Sequence, residues 1–87
     1  MNFFVYIIQS EMDDSYYRGF TENYHERIKQ HNSGWSKYTS GKMPWKLVYV
    51  ENFETKKEAL SREKSLKKYS RSQIKEVINS SRNLLRK

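Results

Sequence analysis

The chain has 87 residues, no cysteine and a formal net charge of +7. A chain of this length folds as one domain with little interior volume, which excludes a deep enclosed pocket and favours a shallow cleft for a large ligand. The absence of cysteine excludes disulfide bonds and thiolate metal sites, and it agrees with a cytoplasmic location.

Two strands joined by a short turn are predicted at the start of the chain. Residues 3–9 are mostly β-branched or aromatic, and residues 16–21 return after a polar segment, a pattern typical of a β-hairpin. A symmetric turn pairs Tyr6 with Gly19, and it places Tyr6 and Tyr17 diagonally on one face. Because glycine has no side chain, we expect an open space beside Tyr6.

A helix is predicted over residues 24–32, with Thr21 or Asn23 as its N-cap. Arg27 and His31 are four residues apart in this segment. Side chains with this spacing share one helix face. We therefore expect both polar groups at the edge of the buried stripe, where residues of a functional site often lie.

Residues 33–45 hold two of the three glycines and the single proline, which predicts a loop. Aromatic and basic side chains alternate along this loop. If they are exposed they suit backbone contacts and stacking on bases, and if they fold back they form a lid on the core. The residues that we expect to bind nucleic acid are Lys37, Tyr38 and Lys42 in this loop and Lys64, Lys67 and Lys68 further on.

A third strand and two more helices complete the predicted fold. Residues 46–53 contain an unbroken apolar run, which favours a central strand. Residues 56–69 form a helix with Thr55 as its N-cap, and a shorter helix follows that begins at Ser70 or Ser72. We therefore predict one α+β domain over residues 1–80, a small three-stranded sheet flanked by helices in the order β-β-α-β-α-α. Residues 81–87 are polar and basic, and we expect them to fray.

The net positive charge comes entirely from the second part of the sequence. Residues 1–53 carry six basic and six acidic side chains, whereas residues 54–87 carry eleven basic and four acidic ones. Such a segment can be a solvated helix face, but one-sided charge also predicts a polyanion partner, because basic side chains on phosphates release counterions. No segment has the length or apolar face that membrane binding requires. We therefore expect nucleic acid, and no membrane, as the partner.

Glu63 lies among the apolar residues on the inward face of the helix predicted over residues 56–69. A buried carboxylate needs a cation, a hydrogen-bond donor or a metal ion. An internal salt bridge, to Arg27 for example, is the structural alternative. A lone carboxylate suits Mg²⁺ or Mn²⁺, which retain several water ligands, whereas the spacing of His25 and His31 does not suit zinc. We favour the metal ion, because several other polar groups are expected nearby.

Taken in order, these residues resemble the GIY-YIG nuclease domain family, and in particular its small single-domain bacterial members. The similarity covers about residues 3–78 and includes further stretches at residues 32–34, 37–39, 46–49 and 62–64. The motif positions are Phe4-Val5-Tyr6, Tyr17-Arg18-Gly19, Arg27, His31 and Glu63.

Three positions depart from the pattern of the family. Phe4 and Val5 replace Gly and Ile in the first triad, and Arg18 replaces an apolar residue in the second. We expect Arg18 to face outward. A polar residue that many members carry after the acidic one has Gln73 and Asn79 as candidates.

The resemblance implies a role for each motif residue in a metal-dependent endonuclease. Tyr17 would be the general base that deprotonates the attacking water, and Tyr6 would assist by hydrogen bonding. Arg27 would neutralise the scissile phosphate, His31 would orient its neighbours or relay a proton, and Glu63 would hold the divalent ion. A free phenol has a pKa of about 10, so a tyrosine base needs a nearby cation.

Three functions fit these features. We predict hydrolysis of phosphodiester bonds in DNA, with a preference for branched or flapped structures and a role in repair. The alternative is a nucleic-acid-binding module that keeps the fold without the activity. The third is a domain that works when it is docked on a larger repair or recombination protein.

Overall fold

The computed structural model describes residues 2–86, so Met1 of the predicted domain and Lys87 of the predicted tail lie outside the described residues. The predicted α+β class and element order are confirmed within that range. The strands and α-helices are β1 (Phe3–Ser10), β2 (Tyr16–Thr21), α1 (Tyr24–Asn32), β3 (Trp45–Phe53), α2 (Lys56–Leu66) and α3 (Arg71–Ile78), with short 3₁₀ turns at Ser40–Lys42 and Leu84–Arg86.

The hairpin of β1 and β2 has the predicted register. Tyr6 pairs with Gly19 and Ile8 pairs with Tyr17 in antiparallel strands. The turn between them is closed by Asp14, which adopts a left-handed conformation with φ of 63°. Because side chains alternate across a sheet, this register places Tyr6 and Tyr17 on the same face, with their ring centres 6.5 Å apart.

The sheet order is β2-β1-β3, so β1 is the central strand. The prediction that β3 is central was wrong. Tyr49 of β3 packs in the core under α2 and α3, and Val50 packs in the core on the opposite face. Burial of both faces produces an unbroken apolar run even in a strand that is paired along one edge only.

Each face of the sheet supports its own core. On one face, Ile7 packs with Leu66 of α2 and Ile74 of α3. On the other, Tyr6 packs with Ile28 of α1 and with side chains of the following loop. The Tyr6 face is the one that carries the candidate site.

The helices begin where side-chain caps were predicted. Asn23 caps α1, Thr55 caps α2 and Ser70 caps α3, each by accepting a hydrogen bond from a backbone N–H of the first turn. Helix α2 ends at Leu66, earlier than predicted, because the N–H groups of Lys68 and Tyr69 bond three residues back in tighter turns. Of the helices within residues 2–86, none is long and apolar enough to cross a bilayer.

Up to Arg86 the basic C-terminal segment is anchored, which corrects the expectation of fraying for the described part of residues 81–87. Asn83 is 1% exposed, and its Nδ2 donates to the carbonyl oxygens of Val48 at 2.9 Å and Ile78 at 2.8 Å. Leu84 packs into the core on the Tyr6 face. A single buried amide therefore fixes a segment whose composition alone indicates disorder.

Gly19 makes room for the Tyr6 side chain. A Cβ atom at position 19 would lie 2.3 Å from Oη and 2.4 Å from Cζ of Tyr6, well inside van der Waals contact. The Tyr6 ring therefore lies directly over the glycine backbone. The space that the sequence predicted beside Tyr6 is filled by Tyr6 itself.

We expect Gly19→Ala to displace the Tyr6 ring and to lower the free energy of unfolding by about 1–3 kcal/mol, the usual penalty for overpacking. Gly41→Ala is the matched control, because a Cβ atom there meets nothing within 4 Å. Urea unfolding of both variants measures the difference. Equal stability of the two variants would contradict the close approach of Tyr6 to Gly19.

Candidate active site

Tyr6 lies at the centre of the candidate site and is 1% exposed. Its hydroxyl oxygen is 2.9 Å from Nε2 of His31 and accepts a hydrogen bond from Nε of Arg27 at 3.4 Å. Burial is the main reason why the pKa of Tyr6 is raised to about 12, against the opposing effect of the Arg27 charge. Tyr6 is therefore a neutral phenol at physiological pH.

The hydrogen bonds around Tyr6 run in one direction. Arg27 can only donate, and Tyr6 keeps its proton, so the Tyr6 hydroxyl donates to Nε2 of His31. Nδ1 of His31 then carries the imidazole proton and donates to Oγ1 of Thr39 at 2.8 Å. The Thr39 hydroxyl in turn points to the carbonyl oxygen of Ser36 at 3.5 Å. This direction assigns the Nδ1–H tautomer to His31.

His31 is completely buried. Burial, followed by the charge of Arg27, lowers its pKa to about 4, so the imidazole is neutral at physiological pH. Because no part of the ring reaches the surface, His31 can act on a substrate only through Tyr6. The geometry suits the predicted orienting role better than direct proton exchange with a substrate.

Arg27 is held on three sides. Besides its bond to Tyr6, its Nη1 donates to Oε1 of Gln30 at 2.9 Å, and its guanidinium carbon lies 5.4 Å from the ring centre of Trp35. These two hydrogen bonds use two of the five N–H donors of a guanidinium group. Donors therefore remain for an anion, and the planar group is already oriented.

Tyr17 is the member of the tyrosine pair that solvent reaches. Its ring centre lies 5.1 Å from that of His31 and 5.8 Å from that of Tyr38. Tyr6 and Tyr17 thus differ in environment, because one hydroxyl is buried in a hydrogen-bond chain and the other ring borders the surface. Only Tyr17 can contact a substrate directly without rearrangement.

Glu63 approaches the site from α2, which packs against β1 and β2. Its side chain is 19% exposed, and its Oε2 lies 3.7 Å from Nζ of Lys67. Its negative charge is among the influences that raise the pKa of Tyr6, which places the two groups within electrostatic reach. The salt-bridge partner is Lys67 rather than Arg27, the partner that the structural alternative named.

The Glu63 side chain suits a divalent ion that keeps most of its water ligands. Within residues 2–86 there is no group of three or more His, Cys, Asp or Glu side chains that could hold an ion, and a catalytic zinc site requires three protein ligands. A lone, partly exposed carboxylate fits Mg²⁺ or Mn²⁺, which keep most of their water. The Lys67 side chain is 59% exposed, so it can turn away from Glu63.

The residues predicted to bind nucleic acid are all exposed, but only some lie near Tyr17. Tyr38 and Lys67 line a cleft of about 470 Å³ beside Tyr17. Tyr38 and Lys42 line a neighbouring cleft of about 220 Å³, and Lys42 also pairs with Asp13 at 3.2 Å. The remaining predicted residues, which line neither cleft, are Lys37, Lys64 and Lys68.

Two residues of the site were missed by the sequence analysis. Gln30 had a local signal, because it follows Arg27 by three residues on the same helix face. Thr39 had no local signal beyond its place in the family-like stretch 37–39, because it meets His31 only after the loop folds over the sheet. Gln73, a candidate for the further polar residue of the family, closes the capping box of α3 with Ser70.

The known proteins to which this chain is similar agree on one family. Residues 2–76 match the family model described as the GIY-YIG catalytic domain. A UPF0213 protein of Clostridium perfringens is 50% identical over 78 residues, which cover 88% of this chain and 83% of the relative. The UPF0213 protein YazA of Bacillus subtilis is 39% identical over 83 residues, which cover 94% of this chain and 83% of the relative. The solution NMR structure of a UPF0213 protein from Bacillus halodurans is 36% identical and superimposes with a TM-score of 0.62, over 98% of this chain and 90% of that one.

The buried imidazole predicts a pH-dependent stability. The pKa of His31 is about 4 in the fold and about 6.5 in an unfolded chain, so the unfolded state takes up the proton first as the pH falls. The neutral His31 side chain contributes fully to the free energy of unfolding above pH 6.5. As the pH falls toward 4, protonation of the unfolded state lowers that free energy by up to about 3 kcal/mol. We expect His31→Gln to reduce the slope of unfolding free energy against pH over this interval.

His25→Gln is the control for this measurement, because His25 is exposed on the same helix. Urea unfolding at closely spaced pH values should give His25→Gln the slope of the wild-type chain. A wild-type slope in His31→Gln would mean that the histidine is not held neutral in the fold.

Proposed function

Because the chain belongs to the GIY-YIG catalytic domain family, we propose that it is a metal-dependent endonuclease that hydrolyses phosphodiester bonds in DNA. Membership of this family implies nuclease activity in general. The observation that carries the more specific proposal is the meeting of Tyr6, Tyr17, Arg27 and His31 at one surface of the sheet.

The two tyrosines have different roles in this proposal. Tyr17, in its phenolate form, takes the proton of the attacking water and becomes a neutral phenol, because it is the tyrosine that a substrate can reach. Tyr6 stays protonated and accepts a hydrogen bond from Arg27 while it donates to His31. Its role is to hold the guanidinium group in place.

Arg27 neutralises the scissile phosphate. Its guanidinium is fixed by Tyr6 and Gln30 before a substrate arrives, so little conformational freedom is lost when it meets the phosphate oxygens. His31 and Thr39 are positioning residues, because they touch Tyr6 and not the substrate. The positive charges of Arg27 and Lys67 stabilise negative charge on the phosphate oxygens during the reaction.

Glu63 is the residue that would hold the divalent ion, and nucleases of this family generally use one. A bound Mg²⁺ or Mn²⁺ supplies positive charge against the charge that develops on the phosphoryl oxygens. The charge of Glu63 acts on Tyr6, and Lys67, four residues further on, balances that charge.

In this proposal the substrate is selected by its shape rather than by its sequence. A single small domain offers little surface for reading bases, and the positive excess of residues 54–87 suits contact with the phosphate backbone. We therefore propose branched or flapped DNA as the substrate and a role in repair, alone or docked on a larger repair or recombination protein. A cytoplasmic location stays a prediction of the sequence.

One contact favours the alternative function, a nucleic-acid-binding module without activity. The ammonium group of Lys67 lies 3.7 Å from the carboxylate of Glu63. A lysine in this place supplies a positive charge that a metal ion supplies in an active enzyme. If Lys67 holds Glu63 permanently, the fold would bind DNA without cutting it.

We expect Tyr17→Phe and Glu63→Gln each to reduce the rate of DNA nicking by roughly 100-fold or more, since each removes a group that acts on the reacting atoms. The assay uses flapped DNA with Mg²⁺ or Mn²⁺, and binding is measured separately in EDTA. Matched controls are Tyr24→Phe, at a residue packed on Phe4, and Glu54→Gln, at an exposed residue. Both should cut at the wild-type rate.

The two functions differ in the outcome of that assay. Tight DNA binding without cleavage in any divalent ion would reject the endonuclease and support the binding module. Full activity of Tyr17→Phe would reject the assignment of the general base.

The contribution of exposed lysines to DNA binding is measured by the salt dependence of the affinity. Lys64 and Lys68 are exposed and four residues apart. We expect their joint replacement by Gln to flatten the dependence of log K on log salt by up to about 2, because each lost phosphate contact removes about 0.9 from the slope. Joint replacement of Lys57 and Lys75 by Gln removes the same charge elsewhere, and an equal effect there would show that only total charge matters.

A further inference from the structure

Arg18 is a partly buried arginine that pairs with no carboxylate within residues 2–86. Its Nη2 donates to the carbonyl oxygen of Tyr69 at 3.3 Å, and its Nε is buried without a hydrogen-bond partner. The expectation that Arg18 faces outward is therefore corrected. Arginine side chains are rarely buried without an anionic partner, and an unsatisfied buried donor needs an explanation.

Arg18 lines the cleft of about 470 Å³ that also borders Tyr17. The other lining residues are Tyr16, Tyr38 and Lys67, so the cleft presents three aromatic rings and two cations and no acidic side chain. Tyr17 and Arg18 are adjacent on β2 and point to opposite faces of the sheet. The cleft therefore crosses the outer edge of β2, which is an edge strand.

The chemistry of the cleft matches the two halves of a nucleotide. A guanidinium and an ammonium group recognise a phosphate, and tyrosine rings stack on bases without requiring a particular sequence. The volume lies within the roughly 300–1,000 Å³ that is typical of small-ligand sites. Base pairs inside a duplex are already stacked on both faces, so only an unpaired base can use a ring.

The tyrosine rings of the cleft differ in how much of each ring face is accessible. Arg71 lies over the Tyr16 ring, with its guanidinium carbon 4.7 Å from the ring centre. Tyr38 is 84% exposed and its ring is tilted by 52° against Tyr17. Tyr38 is therefore the ring that offers a face to an incoming base, and Tyr17 joins the cleft to the candidate catalytic groups.

We propose that this cleft binds one unpaired nucleotide next to the scissile phosphate, with its phosphate on Arg18 and Lys67 and its base against Tyr38. The inference rests on the proposed nuclease function and narrows its substrate class to DNA with a single-stranded nucleotide at the cleavage point. Arg18, which replaces an apolar residue of the family pattern, then determines specificity. A bound phosphate would give the Arg18 guanidinium group the anionic partner that it lacks within residues 2–86.

The test uses a DNA flap with 2-aminopurine at the first unpaired position, titrated with the chain in EDTA. We expect the wild-type chain to quench the fluorescence and to bind the flap more tightly than a fully paired duplex of the same length. Tyr38→Ala should lose the quenching and weaken flap binding roughly tenfold, the usual effect of losing one stacked base. Tyr38→Phe should keep both, because it keeps the ring.

Charge variants separate the phosphate contact from the stacking. Arg18→Met and Lys67→Gln should reduce the preference for the flap over the duplex, whereas Lys57→Gln, which removes a charge elsewhere on α2, should leave that preference unchanged. Because Tyr38 is exposed, Tyr38→Ala can be compared with the wild-type chain even if Arg18→Met does not fold. Unchanged fluorescence with the wild-type chain, or a wild-type flap preference in Tyr38→Ala, would overturn the proposal.

Cleavage of the same DNAs distinguishes this inference from the proposed function. If flap preference and quenching are present but nothing is cut with Mg²⁺ or Mn²⁺, the cleft proposal stands and the endonuclease proposal fails. If flap and duplex are cut at equal rates, the endonuclease proposal stands and the cleft proposal fails.

Discussion

The hydrogen bond between Tyr6 and His31 is the interaction on which the rest of the site depends. It joins the central strand to α1 inside a core, where neither group meets water. Leaving either partner unsatisfied there costs more than the bond itself contributes. The bond requires the close approach of the Tyr6 ring to Gly19, so a residue without a side chain, a phenol and an imidazole act as one structural unit.

This unit gives two similar tyrosines different chemistry. Burial keeps Tyr6 protonated and His31 neutral, which fixes the direction of the hydrogen bonds and the orientation of Arg27. Tyr17, on the same face but at the surface, is left free of that chain. Two residues of one type thus differ in environment, which is a general way in which a fold can assign them different roles.

The edge strand β2 explains how so small a domain can carry a site without an interior pocket. Its Tyr17 side borders Tyr6 and His31, and its Arg18 side borders the C-terminal end of α2, where Lys67 meets Glu63. A ligand that lies across this edge meets both sets of groups at once. A long polymer can do so while most of it stays outside the protein, which agrees with the shallow clefts and the positive charge of the second part of the chain.

The sequence by itself determined what depends on neighbours along the chain. Alternation and turn composition predicted the pairing of Tyr6 with Gly19, capping residues predicted where each helix begins, and spacing placed Arg27 and His31 on one face. The family motif identified the set of candidate residues in the same way. Only the tertiary structure decided the strand order, because an apolar run reports burial and not which strand lies beside it. Contacts that join separate elements were decided there too, since each forms only when loops and helices close over the sheet: Thr39 on His31, Asn83 on β3, and the cleft around Arg18.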